Sequence, residues 1–249
     1  PGLPDPNYQG FIFGEGKTNE GPTASHWLGT DNVSRDILAR LIYGARVSLI
    51  FAASGVFFGI VIGGLVGSIA GYFRGFLETS LMFSVDVMLS FPALIGFLCI
   101  TQFLGRQDLF ILCLVIAIFI WPPFSRVARA TALSVSGKDF VTAARAIGTS
   151  TRRILFREIF PNVFPTLLAY GLVLLATLVI LESTLSFLGL GVEIPTASWG
   201  GMINQGRQDL LINIWPPIWP AATLLMTVFS FNNLADWLQK QAASRSAAI

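Results

Sequence analysis

Long apolar runs separated by short polar segments make up most of this chain. Five runs stand out, at residues 47–73, 76–104, 109–124, 163–190 and 214–237. A helix needs about 20 residues to cross a hydrocarbon core of about 30 Å, and four runs meet this length. The third run is shorter, and we expect its helix to continue through residues 125–129, whose arginines can reach the membrane interface. The pattern predicts an all-α integral membrane protein with five spanning helices.

One polar island, residues 124–165, interrupts the apolar pattern. Its only acidic residues are Asp139 and Glu158, and it carries seven of the chain's sixteen basic residues. These are Arg126, Arg129, Lys138, Arg145, Arg152, Arg153 and Arg157. Because basic loops are retained in the cytoplasm, the loop at 125–162 is predicted to be cytoplasmic.

This orientation places the other segments. Residues 1–45 and the turn at 105–108 fall outside, residues 46–240 form the membrane domain, and the tail at 241–249 lies inside. An outside start followed by five spans leads us to expect a further helix upstream of residue 1.

Composition narrows the class of protein. The chain is 53% hydrophobic and 12% charged, whereas soluble domains carry about 25% charged residues. Its basic residues lie beside apolar runs without a nucleic-acid reader motif, so nucleic-acid binding is not expected. Cys99 and Cys113 lie in apolar runs, and His26 is the only histidine. No disulfide framework, metal site or catalytic set is therefore predicted.

The island contains two predicted helices. The first, residues 139–147, places Ala143, Ala144 and Ile147 on one side and ends at Gly148. The second, residues 152–160, is predicted to end at Pro161. A short helix with a small apolar face fits a groove on a cytoplasmic protein. An amphipathic helix attracted to anionic lipid explains the same pattern, and the residues alone leave both interpretations open.

The first apolar run carries glycines at every fourth position. They are Gly55, Gly59, Gly63, Gly67 and Gly71. Four residues turn a helix by about 400°, so these glycines form a slowly spiralling stripe on which another helix backbone can approach closely. The pattern predicts close helix packing and does not say whether the partner helix lies in this chain.

Two acidic residues, Asp86 and Glu182, lie inside apolar runs. An ionisable group in a membrane normally faces protein or water. Each is therefore a candidate for lining or gating a translocation pathway, and a structural hydrogen bond near a helix end is the alternative. Residues 13–18 resemble the end of a phosphate-binding loop but lack its first glycine, so any nucleotide must be bound by a partner.

Several stretches together resemble one family. They are TAARAIG at 142–148 followed by Pro161, HWLGTD at 26–31, YGARVSL at 43–49, ESTLSFLGLG at 182–191 and SWGG at 198–201. The chain resembles the permease subunits of bacterial ABC importers, specifically the C-type subunit of the dipeptide, oligopeptide and nickel group. It departs from that pattern at Thr142, where the family has glutamate, at Ser34, where it has glycine, and in a tail without Asp-Pro.

The resemblance implies a type I ABC importer transmembrane domain with six helices, five of them in this chain, in a bacterial inner membrane. It implies a homologous second permease, two ATPase subunits that carry ATP and magnesium, and an external solute-binding protein. The island helix would be the coupling helix that contacts an ATPase. The implied coupling residues are Phe140, Thr142, Ala143, Ala144, Arg145, Ile147 and Gly148. In the outer loop at 191–213, the contact candidates for the binding protein are Trp199, Asn204 and Arg207.

The function expected from the resemblance is half of an ATP-driven import pathway. Peptides are the first expected solute, ahead of nickel chelates, haem and sugars. A channel or secondary transporter without ATPases is the alternative from another class, and a membrane-anchored assembly subunit without solute flux is a third. A loop of the coupling type and the absence of a proton or ion relay in the sequence argue against the channel or secondary transporter.

Overall fold

The computed structural model describes residues 4–13, 17–105 and 107–247. Throughout these ranges the regular structure is helical, apart from an isolated bridge between Thr30 and Asp36. The all-α prediction is confirmed. Arg106 of the predicted outer turn, residues 14–16 of the phosphate-loop-like motif and residues 248–249 of the tail lie outside the described residues.

The first long helix starts earlier than its apolar run. Helix α1, Ile37–Phe58, continues through a π-helical turn, Gly59–Gly63, into α2, Gly64–Phe73. It begins at residue 37 because the Asp36 carboxylate accepts a hydrogen bond of 2.7 Å from the Ala39 amide, as a helix N-cap does. The polar residues before position 47 hid this extension from the hydropathy pattern.

The second apolar run is not one helix. Helix α3, Gly75–Ser90, and helix α4, Ala93–Leu104, meet at a bend of 79°. Pro92 explains the break, because proline restricts the preceding residue to extended backbone, and Phe91 has φ −89° and ψ 126°. The prediction of one continuous helix over residues 76–104 is wrong at this point.

The third and fourth runs lie on helices longer than the runs themselves. Helix α5, Leu109–Ser136, confirms the predicted continuation through residues 125–129. After α6, Asp139–Ala146, the helix α7, Thr151–Ile154, passes through a π-helical turn into α8, Phe160–Phe187. The predicted helix end at Pro161 is wrong. The π-helical turn Leu155–Ile159 lies just before Phe160 and Pro161. It changes the hydrogen-bond register near the position where the proline lacks an N–H. Because of this change, the helix continues past Pro161.

Two helices complete the chain, α9, Trp199–Gly206, and α10, Trp215–Ala247. Among the described residues, three helices are long and apolar enough to cross a membrane, at Ile37–Phe73, Leu109–Ser136 and Thr151–Phe187. The bent pair α3–α4 makes four if it counts as one span. Helix α10 covers the fifth predicted run, but its tryptophans, prolines and asparagines make it less apolar.

The helices contribute to two compact units. The first comprises the described residues of Pro1–Ala53, Phe97–Cys113 and Ala176–Phe231. The second comprises those of Ser54–Gly96, Leu114–Leu175 and Asn232–Ile249. The core of the second unit is built from α5, α6 and the long helix that contains α7 and α8. Its buried side chains include Phe124, Ala128, Ala132, Val135, Val141, Ile154, Ile159, Val163 and Leu167.

Candidate functional site

Helix α6 in the second unit is held at its C-terminal end by a glycine cap. Gly148 has φ +77°, its amide donates to the Arg145 carbonyl at 3.0 Å, and the Thr149 amide donates to the Ala144 carbonyl at 3.0 Å. This is the Schellman arrangement, which satisfies carbonyls that the helix would otherwise leave unpaired. The cap fixes where α6 ends and where the following helix begins.

One side of α6 is anchored in the core of the second unit. The Val141 side chain is fully buried, and the half-buried Ala144 packs against the same cluster. Burying a valine side chain contributes about 1.5–3 kcal/mol. Above this anchor, the Arg145 guanidinium lies 4.8 Å from the centre of the Tyr72 ring at the end of α2. Helix α6 is therefore packed against the second unit. A displacement of α6 would strain the contacts of Val141, Ala144 and Arg145 with that unit.

Beside the anchored side, α6 and its C-cap residue present an exposed apolar face formed by Phe140, Ala143 and Ile147. These residues follow the i, i+3, i+7 spacing of one helix face. Ile147 is 81% exposed. We had expected Ala144 on this face, but each residue turns a helix by about 100°, so Ala144 points to the core while Ala143 stays outside.

Thr142, where the resembled family has glutamate, is exposed on α6. Its hydroxyl donates to the Lys138 carbonyl at 3.3 Å within the same helix. The threonine therefore makes a local bond and presents no charge. Gly148 is also exposed, and a Cβ atom built there would lie in open space. The exposed surface of α6 thus combines a small apolar face with polar side chains, and it has no carboxylate at position 142.

The glycine stripe packs against α5 within the second unit. A Cβ atom at Gly71 would lie 2.7 Å from the Arg129 carbonyl oxygen and 2.9 Å from the Ala132 Cβ. One at Gly67 would meet the Ser125 carbonyl, and added Cβ atoms at Gly59 and Gly63 would clash with Phe124. The partner that the sequence left open is therefore a helix of the same chain. Gly55 is buried as well.

Asp86 forms an ion pair on the surface of the second unit. Its Oδ1 accepts a hydrogen bond of 2.7 Å from Arg126 Nη2, and the side chains are 59% and 58% exposed. A second pair joins Glu78 and Arg129. Sequence reasoning missed Glu78, although it is an acid in the same apolar run as Asp86, and that pattern could have indicated it.

Glu182 lies in a buried network of the first unit. Its carboxylate, 1% exposed, accepts hydrogen bonds from the hydroxyls of Ser48 at 2.5 Å and Ser186 at 2.7 Å. The Ser198 hydroxyl donates to Ser186 and caps α9 by accepting from the Gly201 amide. Three of the sequence motifs therefore meet here. Glu182 makes the hydrogen bonds that the structural alternative expects, and a pathway role for it stays a prediction.

The three outer-loop candidates differ in their exposure. Trp199 is 2% exposed, and its indole N–H donates to the Leu41 carbonyl at 3.0 Å. At this exposure Trp199 presents almost no surface to a binding protein, and its contact role stays an untested prediction. Asn204 is half-buried, and its carbonyl oxygen lacks a hydrogen-bond partner. Arg207 is exposed, with its guanidinium 5.0 Å from the centre of the Phe187 ring.

A buried arginine network in the first unit was not predicted. Arg40, 1% exposed, donates to the carbonyls of Pro6 and Pro195, and Arg35 donates to Gln205 at 2.7 Å and pairs with Asp31. Among the described residues there is no group of His, Cys, Asp and Glu that could hold a metal ion.

Comparisons with known proteins agree with one another. Residues 55–247 match the family model described as binding-protein-dependent transport system inner membrane component. The glutathione transport system permease protein GsiD of Escherichia coli O6:K15:H31 (strain 536 / UPEC) is 37% identical over 221 residues, which cover 89% of this chain and 73% of the relative. GsiD of Shigella dysenteriae serotype 1 (strain Sd197) is 35% identical over the same coverage.

Solved structures share the fold. The inward-facing MetNI methionine ABC transporter aligns with a TM-score of 0.66 and 20% identity, covering 82% of this chain and 97% of that one. An amino acid ABC transporter crystallised with histidines aligns with a TM-score of 0.58 and 16% identity, covering 82% and 94%. At these identities the likeness establishes the fold alone.

Proposed function

The chain belongs to the family of binding-protein-dependent transport system inner membrane components, the permease subunits of ABC importers, and we propose that it forms half of an ATP-driven import pathway for peptide-like solutes. A subunit of this family is a multi-pass inner-membrane protein and is not itself catalytic, because ATP is bound by partner ATPase subunits. The relatives named for glutathione transport support a short peptide as the solute. The resemblance to the dipeptide, oligopeptide and nickel group supports the same class.

The topology we propose follows from charge. The loop at 125–162 and the tail lie in the cytoplasm, and residues 1–45 lie outside, because seven basic side chains in one loop outweigh Arg35, Arg40 and Arg46. Helix α10 then acts as the fifth span.

The proposal that an ATPase drives this chain rests on the exposed apolar face of α6. Phe140, Ala143 and Ile147 would enter a groove on the ATPase subunit, while Val141 holds the helix to the core. Movement of the groove would be passed through α6 to α5 and α8. Docking would rest on shape and apolar contact, since Thr142 supplies no carboxylate.

The remaining partners are a second homologous permease and an external solute-binding protein. For the binding protein we retain Asn204 and Arg207 as contact candidates. Arg207 is exposed and Asn204 is half-buried. Both belong to the outer loop at 191–213.

Co-purification and uptake test the proposal together. The tagged chain is expressed with the genes of its transport system, and the eluate is examined for ATPase subunits. The complex is then reconstituted in proteoliposomes with the binding protein outside, and uptake of labelled glutathione and of a labelled dipeptide is measured with ATP or a non-hydrolysable analogue inside. We expect accumulation against a gradient only with ATP. Solute flux that runs equally without ATP, in the absence of co-eluting ATPases, would favour a channel or secondary transporter.

A further inference from the structure

An open recess lined with arginines lies at the start of the long helix that contains α7 and α8, in the second unit. It has a volume of about 410 Å³, and its lining, the arginine recess, is Ser150, Arg152, Arg153, Phe156 and Arg157. Phe156 and the three arginines are exposed, whereas Ile154 and Leu155 between them are buried. The start of this helix therefore presents three positive charges and one aromatic ring to its surroundings and packs its other side into the core.

The arginines of the recess differ from those of α5 in how their charge is satisfied. In the part of the chain that the structure describes, Arg152, Arg153 and Arg157 form no ion pair. Arg126 and Arg129 of α5 both pair with acids of α3. Like charges held close together repel one another, and a negatively charged partner removes this repulsion. The recess is thus suited to an acidic group that the described chain does not supply.

The position of the recess along its helix favours a protein partner over lipid. Arg152 and Arg157 lie eleven and six residues before Val163, where the apolar run begins. At 1.5 Å per residue these separations are about 16 Å and 9 Å along the helix axis, and the average tilt of about 20° changes them little. The headgroup region on each side of the hydrocarbon core is only about 5–8 Å thick. With the loop at 125–162 in the cytoplasm, as proposed, the recess lies beyond the headgroups.

The recess follows the proposed ATPase-docking helix directly. Residues 148–150 alone separate Ile147, the C-cap of α6, from the first residue of α7. The Cα atoms of Ile147 and Arg152 are therefore at most about 18 Å apart, because five residues of chain reach no further. A standard protein interface covers about 800 Å² on each partner and is thus about 30 Å across. One ATPase surface is large enough to contact both the apolar face of α6 and the recess.

We propose that the arginine recess is a second docking surface for the ATPase subunit, and that it pairs with acidic side chains of that subunit. This inference rests on the proposed import function, and it adds a charged contact to the apolar docking of α6. A guanidinium donates two parallel hydrogen bonds to a carboxylate, which gives such a contact a defined geometry. Phe156, 50% exposed, supplies apolar surface among the arginines. Arginine and aromatic residues are the types enriched in protein interfaces.

The salt dependence of ATPase binding tests the role of charge. The assembled permeases are placed in nanodiscs of neutral phosphatidylcholine, and their affinity for the purified ATPase subunit is measured at about 50 and 500 mM NaCl. The double variant Arg153→Gln/Arg157→Gln is compared with the matched control Lys17→Gln/Arg46→Gln, which removes two exposed charges near the proposed outer side. We expect the recess variant to bind about fivefold more weakly at low salt, as the loss of two exposed ion pairs implies, and to lose most of the salt dependence. The control should bind as the wild type does.

A zero-length crosslink tests whether the partner is acidic. Carbodiimide joins an amine to a carboxylate in direct contact, with loss of water, and does not couple the arginine guanidinium. The Arg153→Lys and Arg157→Lys variants are each treated with carbodiimide in the ATPase-bound importer, and the products are mapped by mass spectrometry. We expect an amide between the substituted position and an aspartate or glutamate of the ATPase subunit, and none from Lys17. A bound ATPase without an adduct at either substituted position would overturn the proposal.

The outcomes separate this inference from the proposed function. If the recess variant binds the ATPase as the wild type does while Ile147→Asp weakens binding, docking depends on α6 alone and only this inference fails. If the recess variant differs from the wild type only in nanodiscs that contain anionic phosphatidylglycerol, the recess binds lipid, and the inference fails as well. If the wild-type chain itself binds no ATPase subunit, the proposed function fails and this inference fails with it.

Discussion

The cap of α6 allows a prediction whose size can be worked from the structure. Gly148 has φ +77°, and an added Cβ atom would lie in open space. A Gly148→Ala substitution therefore causes no clash, and its cost is the left-handed backbone alone, about 1–2 kcal/mol. Asparagine tolerates this backbone conformation better than alanine, so Gly148→Asn is the matched control.

Hydrogen exchange of the purified importer measures this cost at the affected helix. The hydrogen bonds from Gly148 to Arg145 and from Thr149 to Ala144 close the end of α6, and both weaken if the backbone at 148 leaves the left-handed region. A cost of 1–2 kcal/mol should speed exchange over residues 139–150 roughly 5- to 30-fold in Gly148→Ala. We expect a smaller change in Gly148→Asn and none over residues 166–187. Wild-type protection of α6 in Gly148→Ala would refute the claim that the glycine cap holds this helix.

Three further predictions follow from the packing and the exposed face. Gly67→Val should destabilise the purified chain by about 1–3 kcal/mol, because the valine side chain would meet the Ser125 carbonyl of α5. The loss is measured as a lower thermal midpoint of unfolding, and an unchanged midpoint would contradict the packing of the glycine stripe on α5. Glu182→Ala should cost about 1–3 kcal/mol by leaving buried hydroxyls unpaired, and Glu182→Gln should cost less in the same assay. Equal destabilisation by Glu182→Ala and Glu182→Gln would count against a hydrogen-bonding role for Glu182. Ile147→Asp should leave the thermal midpoint unchanged and lower ATP-dependent uptake at least tenfold, and unimpaired uptake would argue against docking through this face.

Features that depend on local sequence were predictable. The end of α6 follows from Gly148, whose lack of a side chain permits a positive φ. The continuation of α5 past its apolar run follows from helix-forming residues with arginines that can reach an interface. In each case the residues that decide the structure lie within one or two helical turns.

Features that depend on distant residues were not predictable in the same way. Glu182 was read as a pathway candidate from the sequence, which could not show that Ser48, more than a hundred positions away, satisfies its carboxylate. Asp86 looked similar in the sequence but pairs on an exposed surface. Trp199 was taken for an outer contact, whereas the carbonyl of Leu41 holds its indole in the interior. Composition around each residue could not separate these environments.

Photo-crosslinking from position 147 tests most directly whether α6 is where an ATPase drives this subunit. A photoreactive amino acid replaces Ile147 in the importer assembled in membranes, and Phe57 carries it in the control. The account predicts a product with the combined mass of this chain and an ATPase subunit from position 147, and none from position 57. Crosslinks to lipid alone from position 147 would contradict the account and support the reading of α6 as a membrane-surface helix.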